Sequence, residues 1–67
     1  MSVNNRIKKA VLAGVKAKTI ATKSGVSYFR ISSVVNPEKY RGASKFDIYE
    51  EARINKALDK IAAALAL

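Results

Sequence analysis

The sequence predicts an all-α fold, a compact bundle of four or five helices in one domain spanning residues 1–67. Apolar residues recur at the i, i+3, i+4 spacing of a helix face in several segments. The three glycines and the single proline fall between those segments, where helices are expected to end. Hydrophobic residues make up 49% of the chain, which is typical of a folded domain rather than of a disordered one.

The composition excludes several classes of function. The chain has 67 residues with no cysteine and no histidine, so we expect no disulfide, no zinc-finger ligand set and no cysteine or histidine catalysis. Five carboxylates and a small core argue against an enzyme, and we expect no catalytic residue, metal or cofactor. No run of about 18 apolar residues and no signal-peptide pattern is present, which favours a cytoplasmic protein without a membrane partner.

The positive charge is unevenly distributed along the chain. Residues 1–45 carry ten basic side chains against one acidic side chain, Glu38, whereas residues 46–67 carry three basic and four acidic ones. The net charge of +8 therefore originates entirely in the first two thirds. Such an asymmetry favours a polyanionic partner, and a merely solubilising surface is the alternative.

The first two helices follow from apolar spacing and glycine positions. Apolar or small residues at one helix face predict a first helix over about 4–13: Ile7, Ala10, Val11 and Gly14. Asn4 or Asn5 would cap it, and Gly14 would end it. Residues 16–23 predict a second helix with Ile20 and Ala21 facing inward, followed by a turn at Gly25.

The third segment, residues 28–36, is rich in Tyr, Phe, Ile and Val and would be a strand by propensity alone. Ile31 and Val34 at i, i+3 and a cap at Ser27 favour a helix instead. Pro37 then ends the helix because it cannot donate a backbone hydrogen bond.

After a loop over 37–43 that contains Gly42, Ser44 and Asp47 resemble a capping box and predict a helix over about 45–65. Its apolar positions change phase: Ile48, Tyr49 and Ala52 lie on one side and Ile54, Ala57, Leu58, Ile61 and Leu65 almost opposite. Either the helix bends or breaks near 52–53, or one stripe binds a partner.

The second and third helices have the pattern of a helix-turn-helix. Such a motif needs a small residue where the helices touch, a glycine in the turn and apolar residues on the inner face of the second helix. Six residues satisfy these needs: Ile20, Ala21, Gly25, Val26, Ile31 and Val34. Ser24 departs from the pattern because an apolar residue is usual there.

The run from Ile20 to Asn36 resembles the helix-turn-helix of Lac-repressor-type regulators, most closely in Gly-Val-Ser-Tyr and Ile-Ser-x-Val-Val-Asn. Residues 52–61 are similar to the helix that follows in those headpieces, although the connection over 37–51 is longer here. A helix before the motif, in a chain of this size, looks more like the phage Cro and lambda-repressor domains. The resemblance implies a phage or prophage Cro-like repressor without a small-molecule effector domain.

That resemblance and the pattern together imply a site on double-stranded DNA. The third helix would enter the major groove. Base contacts are expected from Tyr28, Phe29, Ser32 and Ser33, where Phe29 can only contact a thymine methyl or a sugar. Phosphate contacts are expected from Lys16, Lys18, Thr19, Ser27, Arg30, Asn36, Lys39 and Arg41.

One domain of this size buries too little surface to select a single genomic site. We therefore expect two copies to bind a palindromic operator as a homodimer, and the dimer could form only on DNA. Leu65 and Leu67 are the candidate dimer contacts, while Ile54, Leu58 and Ile61 are expected to pack on the motif. Three rival functions remain: an excisionase-like or architectural DNA-binding protein, an antitoxin-type interaction module, and, least favoured, a membrane-surface peptide.

Overall fold

The computed structural model describes residues 2–39 and 45–65, and over these ranges the protein is all-α, as predicted. Its helices are α1 (Val3–Leu12), α2 (Ala17–Ser24), α3 (Tyr28–Val35) and α4 (Ile48–Leu65). Helix α2 lies against both α3 and α4, and α1 also contacts each of these two helices. The four helices therefore enclose a single core.

The core is centred on one isoleucine from each helix: Ile7, Ile20, Ile31 and Ile54 are fully buried. Around them lie the remaining buried apolar residues of the cluster, namely Val3, Ala21, Val26, Val34, Leu58 and Ile61. The prediction that Ile54, Leu58 and Ile61 pack on the preceding helices is confirmed. A chain of this size has few such residues, so each one contributes a large share of the stability.

Helix α1 begins and ends with well-defined caps. Its N-cap is Ser2, whose side-chain oxygen accepts a hydrogen bond from the Asn5 amide at 3.3 Å, so the prediction of an asparagine cap is wrong. At the other end Gly14 has φ +107°, a conformation that glycine adopts without strain. The Gly14 amide donates to the Val11 carbonyl at 3.0 Å and the Val15 amide to the Ala10 carbonyl at 2.9 Å, the pair of bonds that defines a Schellman motif.

Helix α4 begins at Ile48 rather than at 45, because the capping box lies one turn later than predicted. The Glu50 amide donates to Asp47 Oδ1 at 2.7 Å, and the Asp47 amide donates to Glu50 Oε1 at 3.1 Å. This reciprocal pair satisfies two amides that a helix N-terminus would otherwise leave without a partner. Ser44, the predicted cap, lies outside the described residues.

The same helix is continuous, so the break considered near 52–53 does not occur. Ile54, Ala57, Leu58 and Ile61 of the second stripe are buried, whereas Leu65 of that stripe is 68% exposed. In the first stripe Ile48 and Tyr49 are 78% and 76% exposed. The change of phase in the sequence therefore marks an apolar patch at the start of α4 that faces solvent.

A polar cluster joins the two terminal helices. Arg6 donates to Asn55 Oδ1 at 2.7 Å and to Asp59 Oδ1 at 2.8 Å, and the two acceptors lie one turn apart on α4. Asp59 is largely exposed, so this ion pair contributes at most about 1 kcal/mol to the free energy of unfolding. Its main consequence is that the charge of Arg6 is already paired within the fold.

Candidate nucleic-acid interface

Helices α2 and α3 are joined by a tight turn over residues 25–27. Gly25 has φ +72°, and its amide donates to the Ala21 carbonyl at 2.9 Å, which ends α2. Ala21 and Val26 are buried on either side of that turn, together with Ile20, Ile31 and Val34 of the predicted motif core. The inward orientation predicted for these residues is confirmed.

Ser24, the residue that departs from the motif pattern, is accommodated by the turn itself. It is buried, and its hydroxyl donates to the Ala21 carbonyl and accepts from the Val26 amide, both at 3.3 Å. A buried hydroxyl is costly only when it lacks hydrogen bonds. Ser24 therefore links the end of α2 to the start of the turn, instead of leaving a packing defect.

The exposed part of α3 is smaller than predicted. Tyr28 and Phe29, in its first turn, are 48% and 69% exposed, as expected for base contacts. Ser32 and Ser33 are only 5% and 3% exposed, so they do not face outward as the predicted base contacts require. Both α1 and α2 lie against α3, and these two neighbours cover more of its circumference than one partner helix would. The serines thereby cease to be candidates for base contact.

Arg30 was predicted to contact phosphate, but its guanidinium is engaged with the segment that leads into α4. It pairs with Glu50 Oε2, donates to the Lys45 carbonyl and lies over the Phe46 ring, 4.9 Å from the centroid. Glu50 is the same residue that closes the α4 capping box. Arg30 therefore connects α3 to the start of α4, and the phosphate contact predicted for it stays a prediction.

The cationic side of α2 forms a shallow hollow, which we call the α2 hollow. It is lined by Lys16, Lys18, Thr19, Thr22 and Lys23. The first three of these residues are phosphate contacts predicted from the sequence, whereas Thr22 and Lys23 were not among the predicted site residues. Lys16, Thr19 and Lys23 have the i, i+3, i+7 spacing of one helix face, so Lys23 could have been predicted from the sequence to lie beside the other two.

A second depression, the Tyr28 groove, runs along the α2–α3 junction. Its lining consists of Lys18, Ala21, Thr22, Val26 and Tyr28. Because Lys18 and Thr22 line both depressions, the α2 hollow and the first turn of α3 form one continuous surface. The structure thus brings a predicted phosphate contact, Lys18, beside a predicted base contact, Tyr28.

The other predicted phosphate contacts lie at the ends of α3. Ser27 is the exposed N-cap, although its side chain makes no capping bond. Asn36 and Lys39 are exposed, and Asn36 Oδ1 accepts from the Lys39 amide at 3.3 Å, which closes the turn after α3. Arg41 lies outside the described residues.

Of the two candidate dimer contacts, Leu65 is 68% exposed and Leu67 lies outside the described residues. Leu65 lines a largely apolar groove between the C-terminal halves of α1 and α4, together with Ala10, Ala13, Leu58 and Ala62. The dimer contact itself stays a prediction.

The buried serines of α3 give a stability prediction. Within the described part of the chain the Ser32 hydroxyl has no hydrogen-bond partner, whereas Ser33 donates to the Arg30 carbonyl at 2.8 Å. Ser32→Ala removes a desolvated polar group, and alanine also has the higher helix propensity. We expect it to raise the free energy of unfolding by about 1 kcal/mol and the melting temperature by roughly 4–8 °C.

Ser33→Ala is the matched control, because it makes the same chemical change one residue away but breaks a hydrogen bond. We expect no comparable gain from it. Thermal unfolding followed by circular dichroism compares the two variants, and equal shifts would contradict the difference assigned to the two hydroxyls.

Neither a protein-family model, nor a curated protein, nor a solved structure matches this chain. Among the described residues no helix has both the length and the apolar character needed to cross a membrane. The same residues contain no cluster of three or more potential metal-binding side chains.

Proposed function

We propose that the protein binds double-stranded DNA through α2 and α3, acting as a helix-turn-helix transcriptional regulator. The observation that carries this proposal is the continuous surface on which the α2 hollow meets the Tyr28 groove. Three lysines and two threonines line the hollow, and the exposed first turn of α3 adjoins it. In helix-turn-helix proteins the first helix crosses the backbone while the N-terminal residues of the second contact base edges.

The charge distribution supports the same surface. Residues 1–37 contain no aspartate or glutamate, so nothing in α1, α2 or α3 offsets the lysines of the α2 hollow. Two of the other cations in this region, Arg6 and Arg30, are paired with carboxylates of α4. Lys8 and Lys9 of α1 are also exposed, but the three lysines of α2 are the cations that lie beside the exposed first turn of α3. Their positive potential attracts a polyanion, and binding releases the counterions condensed on DNA.

In this arrangement Lys16, Lys18, Thr19, Thr22 and Lys23 bind phosphates. Tyr28 and Phe29 contact base edges, and Arg30 holds α3 against α4. Two copies on a palindromic site would double the contact area, since one domain of this size covers little more than a half-site. A Cro-like repressor is the regulator that the sequence resemblance implies.

In vitro selection from a randomised duplex library, at about 150 mM salt, tests this function. We expect an enriched palindrome whose half-sites are one helical turn apart, or a multiple of it. Retention of duplexes without any enrichment would support the architectural role instead. Failure to retain any duplex would contradict DNA binding.

A further inference from the structure

The base-facing part of α3 is unusual in its chemistry. With Ser32 and Ser33 buried, the exposed side chains in the first turn of α3 are two aromatic rings, Tyr28 and Phe29. Arginine, lysine, asparagine and glutamine are the residues that most often read bases through paired hydrogen bonds. Helix α3 has only one of these, Arg30, and that side chain is bound to Glu50 and the Lys45 carbonyl. Hydrogen-bond readout from this helix is therefore limited to the Tyr28 hydroxyl.

What the helix offers instead is apolar surface. Phe29 is 69% exposed and has no polar side-chain atom, and Tyr28 presents its ring at the edge of a groove lined by Ala21 and Val26. In the major groove the apolar group on a base edge is the C5-methyl of thymine. A ring that enters this groove gains by covering such methyl groups and gains nothing from the polar edges beside them.

We infer that the protein recognises thymine-rich duplexes through the C5-methyl groups, with Phe29 and the ring of Tyr28 as the specificity-determining contacts. This inference rests on the proposed DNA-binding function, because it assumes that α3 enters the major groove. The lysines of the α2 hollow hold the backbone on any duplex, and the two rings set the preference among duplexes.

The test compares four alternating duplexes of equal length at the same salt concentration: A·T, A·U, G·C and G·5-methyl-C. Uracil lacks only the methyl group of thymine, and 5-methylcytosine carries a methyl at the same position of the groove. If each of the two rings covers one methyl group, we expect the protein to bind the A·T duplex about fifteenfold more tightly than the A·U duplex, since each covered methyl accounts for roughly fourfold. Methylation of the G·C duplex should also tighten binding.

Variants assign the effect to the two rings. In Phe29→Ala the preference for the A·T over the A·U duplex should fall to roughly fourfold or less, because only the Tyr28 ring is left to cover a methyl group. Tyr28→Phe keeps the ring and removes only the hydroxyl, so it should retain the wild-type ratio. Both side chains are exposed, and unchanged melting temperatures would show that the fold is intact.

The possible failures are distinguishable. If the wild-type protein binds all four duplexes equally and in a salt-dependent manner, the methyl inference is overturned and DNA binding stands. An unchanged A·T to A·U ratio in Phe29→Ala would overturn the role of that ring. If none of the duplexes is bound, the proposed function itself fails.

Discussion

Ile31→Ala is expected to lower the free energy of unfolding by about 2–5 kcal/mol, the range for truncating a buried isoleucine. Ile31 is fully buried and belongs to the cluster that joins all four helices. A domain of 67 residues has a total stability of only about 3–10 kcal/mol, so the substitution removes at least about a fifth of that stability. Urea denaturation followed by circular dichroism measures the change.

Ile48→Ala is the matched control for this substitution. It removes the same atoms from the first residue of α4, where the side chain is 78% exposed. We expect a change within about 0.5 kcal/mol, as for surface positions in general. Similar losses of unfolding free energy in both variants would contradict the placement of Ile31 in the core and of Ile48 at the surface.

The second large effect is expected when the charges of the α2 hollow are removed. Replacing Lys16, Lys18 and Lys23 together by glutamine should weaken DNA binding by roughly hundredfold, if each lysine contributes about 1 kcal/mol. The slope of log K against log salt should become less steep by about 2–3, because each phosphate that is no longer neutralised accounts for about 0.9. Fluorescence anisotropy titrations over a range of salt concentrations give both quantities.

A second triple variant controls for net charge. Arg53, Lys56 and Lys60 are exposed on α4, and changing all three to glutamine lowers the net charge from +8 by the same three units. We expect a small decrease in affinity and an almost unchanged salt slope. Equal slopes in the two triple variants would mean that overall charge, rather than the α2 hollow, governs binding.

Much of the fold could be predicted from local sequence signals. Gly14 and Gly25 mark the ends of α1 and α2 because both turns require a left-handed backbone, which glycine adopts readily. In the third segment Ile31 and Val34 are three residues apart, which places both on the inward face of a helix. This spacing predicts the observed helix in spite of the strand propensity of the segment. These signals act over a few residues and so are visible in the chain itself.

The environments of Ser32, Ser33 and Arg30 could not be predicted from the local sequence, because each of them is set by a distant partner. Nothing in the local sequence shows that α1 and α2 both lie against α3, and this packing is what encloses Ser32 and Ser33. Arg30 is available for phosphate by its local sequence alone, because Glu50, its partner, lies 20 residues away. The start of α4 is hard to predict because the sequence offers two possible N-cap residues, Ser44 and Asp47. Asp47 is the N-cap of a complete capping box, in which Asp47 and Glu50 each accept a hydrogen bond from the other's amide.

The most direct test of the central claim is an NMR titration of the ¹⁵N-labelled protein with a duplex selected from the library. If α2 and α3 form the DNA interface, the largest amide shift changes will lie between Lys16 and Phe29. The exposed face of α4 around Lys56 and Lys60 will change little. Changes concentrated on that face of α4, or in the groove beside Leu65, would contradict the account and place the partner elsewhere on the molecule.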